Sequence, residues 1–153
     1  MSRVVYGERI ARGLPLMLGV CAVIFDAAGS VLLTRRRDNG LWCLPGGMFT
    51  TGETVTEAVV REVREETGLI VEPVQLIGVY SSPHRMSEYA DGNRYHVVVL
   101  SFLCNVVGGH LLRSTDETTD VEYFPCDSLP EVVEVHRERI EDALAGHPRA
   151  FVR

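Results

Sequence analysis

Gly47–Leu69 reads GMFTTGETVTEAVVREVREETGL, a glycine-led turn running directly into a helix-forming stretch. Val55, Ala58, Val59 and Val63 recur at helical spacing, so one side of that stretch is built to pack. Glu62, Glu65 and Glu66 stand at i, i+3 and i+4, which predicts three carboxylates facing outward from the same turn. Like charges at that spacing cost an isolated helix roughly 0.2–0.5 kcal/mol per pair. A solvated acidic face is the plain explanation of such a run. The sharper one is a positive partner: hard cations such as Mg²⁺ or Mn²⁺ take oxygen ligands, commonly one or two carboxylates together with substrate phosphates. The helix is predicted from Thr54 or Thr56 to Thr67, with Gly68 as its left-handed stop.

Outward from this stretch, the composition is that of an ordinary globular chain. The 153 residues are 46% hydrophobic and 24% charged, which predicts one domain, 1–153, able to bury its own core. The net charge of −6 and a longest basic run of Arg35-Arg36-Arg37 argue against a nucleic-acid polymer as partner. Cys21, Cys43, Cys104 and Cys126 form no Cys-x-x-Cys pair and sit in apolar surroundings, as reduced thiols packed like small hydrophobes do. The first residues lack a signal-peptide core and no apolar run reaches membrane-spanning length. A soluble cytoplasmic protein without membrane partners is therefore expected.

Around the helix, Leu16–Phe25 and Val31–Thr34 read as two strands of a hairpin through the turn at Asp26–Gly29. A short strand is predicted at Leu41–Leu44, ended by Pro45-Gly46-Gly47, with further strands at Val74–Ser81, Tyr95–Val106 and Val121–Pro125. Ser82–Arg94 reads as a polar loop, and Leu129–Ala145 as a helical tail broken near Val135. Strands on both sides of a central helix, followed by a helical tail, predict a mixed sheet between helices.

The stretch resembles the Nudix box, Gly-x5-Glu-x7-Arg-Glu-apolar-x-Glu-Glu-x-Gly-apolar. Gly47, Glu53, Arg61, Glu62, Val63, Glu65, Glu66, Gly68 and Leu69 fill it without departure. Seven fixed positions at about one residue type in fifteen put a chance match at a given site on the order of 10⁻⁸. The resemblance implies a MutT-like α/β/α sandwich and a Mg²⁺- or Mn²⁺-dependent hydrolase of a pyrophosphate linkage in a nucleoside diphosphate derivative, such as a (d)NTP or ADP-ribose. It further implies that Glu62, Glu65 and Glu66 hold metal, that the Gly46 carbonyl completes the shell, and that Arg61 and Glu53 support the catalytic glutamate. The general base is left between Glu62, the favoured residue, and Glu117 in the acidic segment Thr115–Asp120, which is otherwise an additional metal ligand.

The resemblance also implies that the choice of substrate is set outside the box. Tyr80, His84, Arg85, Tyr89, Arg94, Tyr95 and His96 cluster around the 82–94 loop. Rings stack on bases and arginine pairs with phosphate oxygens, so Tyr80, Arg85 and Tyr95 are the expected substrate contacts. Trp42 reads as a packing residue. The expected partner is a small nucleotide-type molecule, and a homodimer is among the assemblies open to the chain. A Nudix-like nucleotide sensor that does not hydrolyse is the competing reading from another class, but such modules usually lose a box glutamate. An RNA-cap hydrolase is disfavoured by the acidic charge.

Overall fold

Alternation along one strand sets the layers of the molecule. Leu16–Val23 sends Val20 and Ala22 to one face and Cys21 and Val23 to the other, because successive strand side chains point to opposite sides. Val20 and Ala22 join Ala58, Val59 and Val63 of a helix in one core. Cys21 and Val23 join Ile77 and Ile140 in a second core, beneath the other helix. Fully burying a single valine or isoleucine is worth roughly 1.5–3 kcal/mol, so both faces of the sheet need cover.

The computed structural model describes residues 3–153. In chain order these form β1 (Arg3–Tyr6), β2 (Leu16–Val23), β3 (Val31–Arg36), β4 (Trp42–Cys43), β5 (Gly46–Met48), α1 (Val55–Thr67), β6 (Leu69–Tyr80), β7 (Arg85–Glu88), β8 (Arg94–Gly109), β9 (Thr118–Phe124), α2 (Glu134–Leu144) and β10 (Phe151–Val152). The main sheet runs β1-β7-β8-β2-β5, with β6 pairing β8 and β10 pairing β6. It is mixed: β2 lies parallel to β8, and β6 antiparallel to it. A smaller sheet, β4-β3-β9, stands beside it. This is the expected α/β/α sandwich with its mixed sheet.

Helix α1 begins with a reciprocal cap. The Glu57 N–H donates to Thr54 Oγ1, and the Thr54 N–H donates to the Glu57 carboxylate at 2.7 Å. Glu57 thus serves as the reciprocal cap of the helix. Gly68 ends the helix in the left-handed conformation, φ 76°.

Several expectations about elements are corrected. The segments around Asp26–Gly29 do turn back on each other, through Asp26 N–H to Ser30 O and Leu32 N–H to Ile24 O. Their strands then part into different sheets, because β2 pairs β5 and β8 while β3 pairs β4 and β9. β6 starts at Leu69, ahead of the expected Val74, and shifts its register past Pro73, which cannot donate to the ladder. β7 forms inside the expected 82–94 loop. The tail is helical only from Glu134, since Trp42 pairs with Val132 and takes backbone hydrogen bonds on both sides of it. Trp42 packs edge-on against Phe124 with centroids 4.7 Å apart, as a packing residue should.

A buried polar knot fixes α2. Asp142 accepts from Tyr80 Oη at 2.9 Å and from Arg153 Nε and Nη2 at 2.8 and 2.6 Å. The Arg153 hydrogen bonds, first, hold the Asp142 carboxyl below its ordinary range against the effect of burial, and Tyr80 adds to them. A carboxyl lowered in the folded state stabilises above its unfolded value, about 3.9, and that contribution disappears as pH falls through the folded value. Asp142→Ala is therefore expected to cost about 2 kcal/mol in urea melts at pH 7, with the gap to the parent protein narrowing below about pH 3. A gap that stays constant from pH 7 to pH 2.5 would show that the charge of Asp142 contributes nothing.

Candidate active site

The site is built where β5 meets the outer turns of α1. Gly46 and Gly47 lie opposite Cys21 and Val20 of β2, which pins their backbone to the sheet. The Gly46 N–H donates to Glu66 Oε2 at 2.8 Å. A Cβ on Gly47 would stand 2.5 Å from Glu62 Oε2, so the Glu62 carboxylate fills the space that any other side chain would need. A Cβ on Gly46 would meet the Cys21 Cα at 2.6 Å.

The three helix carboxylates do not share one outward face as expected. Glu62 and Glu66 are each only 8% exposed and turn in toward the glycines, whereas the Glu65 side chain is 58% exposed. Residues four apart stack along a helix, and the glycine turn leaves room for that one row. Arg61 occupies the space between. Its guanidinium donates to Glu53 Oε1 and Oε2 at 2.8 and 3.0 Å, to Glu62 Oε1 at 2.8 Å, to Glu65 Oε2 at 3.2 Å and to Met48 O at 3.0 Å. One guanidinium thus contacts both Glu53 and Glu62.

These surroundings drive the carboxyls apart. Hydrogen bonds from Arg61, then from the Thr50 N–H, lower the Glu53 carboxyl to about 2. Burial raises Glu62 despite its bond to Arg61. Burial also raises Glu66 to about 8, with the charges of Glu62 and Glu117 adding to it and the Gly46 N–H opposing. Glu66 and Glu117 line a cleft of about 360 Å³ together with Arg36, Arg37, Asp38 and Thr118. Glu117 is exposed, and among the described residues no donor holds its carboxylate.

Among the described residues no three acidic, histidine or cysteine side chains converge as a finished metal cage. Arg61 holds Glu62 and Glu65 aside, and Glu66 rests on Gly46. The donor chemistry nevertheless suits a hard cation. Burial, first, raises the carboxyls of the nearly buried Glu62 and Glu66, with the charge of Glu117 adding to it, so a bound cation would offset the cost of their charged forms.

The residues expected to bind substrate fall in different places. Tyr80 is fully buried with its hydroxyl committed to Asp142, so it is a core residue rather than an exposed ring. Arg85 pairs with Glu138 of α2 at 3.1 Å. Tyr95 stands edge-on to Tyr89 at 5.6 Å, and the Tyr89 hydroxyl reaches Met17 and Met48 sulfurs at 3.5 and 4.0 Å. That places the Tyr89–Tyr95 pair beside the residue following Gly47. Arg36 and Arg37, which line the cleft, enter the sequence reading only as part of a basic run; their place at the end of a strand, just before Asp38, is the signal that could mark them.

Comparison with known proteins agrees with this geometry. The family model described as NUDIX domain matches residues 15–143. An ADP-ribose pyrophosphatase of Methanocaldococcus jannaschii is 41% identical over 124 residues, covering 79% of this chain and 69% of that protein. A MutT-like protein of Streptomyces ambofaciens is 38% identical over 130 residues, covering 84% and 77% respectively. The crystal structure of an ADP-ribose pyrophosphatase from Streptococcus suis superposes with a TM-score of 0.68 at 26% identity, covering 90% of this chain and 97% of that one. With an unbroken box folded around its glycine turn, the chain belongs to the Nudix family and is a pyrophosphohydrolase of the MutT-like type.

Proposed function

We propose that the protein hydrolyses the pyrophosphate linkage of a nucleoside diphosphate derivative in a divalent-metal-dependent reaction, with ADP-ribose as the first substrate to test. The observation that carries this reading is the pair of nearly buried carboxylates, Glu62 and Glu66, set against Gly46 and Gly47, with Glu66 on a cleft that also holds Glu117. ADP-ribose is favoured because two of the compared proteins, one solved and one 41% identical in sequence, carry its pyrophosphatase activity in their names.

Glu62, Glu66 and the Gly46 carbonyl would hold Mg²⁺ or Mn²⁺, with Glu65 able to join once released from Arg61. Bound there, the ion supplies charge neutralisation for the diphosphate and its leaving oxygens. The protein's own residues do the rest. Arg61 fixes the Glu62 carboxylate, and Glu53 fixes Arg61. The Gly46 N–H fixes Glu66. Water attacks one phosphorus while the bridging P–O bond breaks, and the proton of the water needs a carboxylate with a free lone pair. Glu62 and Glu66 are the carboxylates that would hold the ion, whereas the exposed Glu117 has no such task, so we take Glu117 as the base over Glu62. Tyr89 and Tyr95 offer rings beside the turn on which a nucleobase can stack.

Two measurements test this reading. With ADP-ribose as substrate, EDTA is expected to abolish phosphomonoester formation and Mg²⁺ or Mn²⁺ to restore it; full turnover after rigorous chelation would dismiss the metal site. Glu66→Gln is expected to lower kcat by about 10² or more, equivalent to about 2.7 kcal/mol. The same change should not weaken the metal-free fold. A carboxyl raised in the folded state favours its neutral form, so the folded protein loses stability as pH rises from about 4.3 toward 8, and the amide escapes that loss. The melting temperature of Glu66→Gln in EDTA should equal or exceed that of the parent protein at pH 8. A folded variant with parental kcat would remove Glu66 from the site.

A further inference from the structure

Arg37 makes an arrangement that neither the box nor the metal reading uses. It is the first residue after β3, next to a shift in register between Arg35 and Arg36 against β9. From there its backbone N–H donates to Glu117 O at 3.2 Å, and its Nε donates to Asp116 O at 3.1 Å. Its Nη2 donates to Thr115 O at 2.8 Å and to Thr118 O at 3.3 Å. One residue thereby serves four consecutive main-chain carbonyls. Those carbonyls lie just before β9 and at its first residue, and main-chain acceptors there need partners from outside the ladder. A guanidinium suits the task because its N–H groups form a rigid planar fork.

The other side of the same segment is fastened to α1. Thr118, nearly fully buried, donates from Oγ1 to Glu66 O at 3.4 Å. Thr115 Oγ1 accepts from the N–H groups of Glu117 and Thr118, each at 3.2 Å. The main chain on both sides of Glu117 is thus tied, to the end of β3 and to the helix that carries Glu66. Glu117 itself keeps its carboxylate free in the cleft it shares with Arg37 and Glu66.

We propose that Arg37 is the positioning residue for Glu117: by gripping the carbonyls of residues 115–118 it holds the segment over the cleft with the Glu117 carboxylate set opposite Glu66. This rests on the proposed hydrolytic reading for its catalytic consequence, but not for the grip itself. Arg37 acts on the loop through its fork of donors rather than through its charge, which separates it from an arginine that binds substrate phosphate. An arginine of that second kind would be replaced in part by lysine and would show its loss mainly in KM.

The test compares Arg37→Ala, Arg37→Lys, Glu117→Gln and the Arg37→Ala/Glu117→Gln double variant, each checked for an unchanged melting profile. Amide exchange of residues 115–118 should quicken about tenfold or more in both Arg37 variants, because local opening no longer breaks the guanidinium contacts. With Mg²⁺ and ADP-ribose, Arg37→Ala should lose about tenfold or more in kcat with KM nearly unchanged, the scale expected of a misplaced reacting group. Arg37→Lys should rescue little of that loss. The double variant should be no slower than Glu117→Gln, since Arg37 has nothing left to position. Unchanged exchange, rescue by lysine, a loss confined to KM, a Glu117→Gln enzyme as fast as the parent, or losses that add in full would each overturn the proposal. A parent protein inactive on every pyrophosphate substrate would instead overturn the hydrolytic reading, and the exchange rates would still decide whether Arg37 holds the loop.

Discussion

The hydrogen bond from the Gly46 N–H to Glu66 Oε2 joins the sheet to the helix, and the geometry of the site follows from it. Gly46 and Gly47 take their places from pairing with Cys21 and Val20, strand residues whose side chains feed the two cores. The rotation of α1 about its axis is set on one side by Ala58, Val59 and Val63 in the core and on the other by Glu66 against that turn. The absence of a side chain at Gly47 then lets Glu62 close in beside it. A methyl group at Gly47 would displace the Glu62 carboxylate, and one at Gly46 would displace a strand. The two glycines are therefore constrained from different directions.

Arg61 makes the acidic helix tolerable. One guanidinium shared by Glu53, Glu62 and Glu65 offsets the repulsion that their spacing creates but leaves the group negative. Its side chain is 31% exposed, so each ion pair adds little stability by itself. What it adds is direction. Glu53, held low by Arg61, is a permanent anion that keeps Arg61 in place, while the Glu66 carboxyl is raised by burial and by its neighbours. Similar side chains within one motif acquire different tasks from their surroundings, as pairs of titratable groups do in other active sites.

The sequence was most legible where local rules act alone. The body and end of α1 follow from apolar periodicity and a left-handed glycine, and the box follows from spacing. Periodicity places apolar residues but does not say which charged residues will turn toward a loop twenty positions earlier, so the inward aim of Glu62 and Glu66 was not readable. β5 is three residues, two of them glycine, with no pattern to detect. Tyr80 looked available because an aromatic residue before a polar loop resembles a binding residue; only the pairing of β6 with α2 shows that Asp142 claims its hydroxyl. Arg37 and the 115–118 segment are nearly eighty residues apart in sequence, and nothing local connects them.

The cleft itself arises from the parting of the two sheets. After the turn at Asp26–Ser30 the chain leaves the main sheet and pairs instead with β9, from Val31 opposite Phe124 to Arg36 opposite Thr118. The ladder ends there, beside the last turns of α1, and the next residues on each side are Arg37 and Glu117. Strand ends carry main-chain groups that the ladder no longer satisfies, and these must find partners or face water. At this ladder end they find the Arg37 fork and the threonines at 115 and 118. A loop so fastened can keep an untethered carboxylate at a fixed place without burying it. The smaller sheet thus does more than cover hydrophobic surface: by stopping where it does, it brings a loop carboxylate up to a helix that already carries its own.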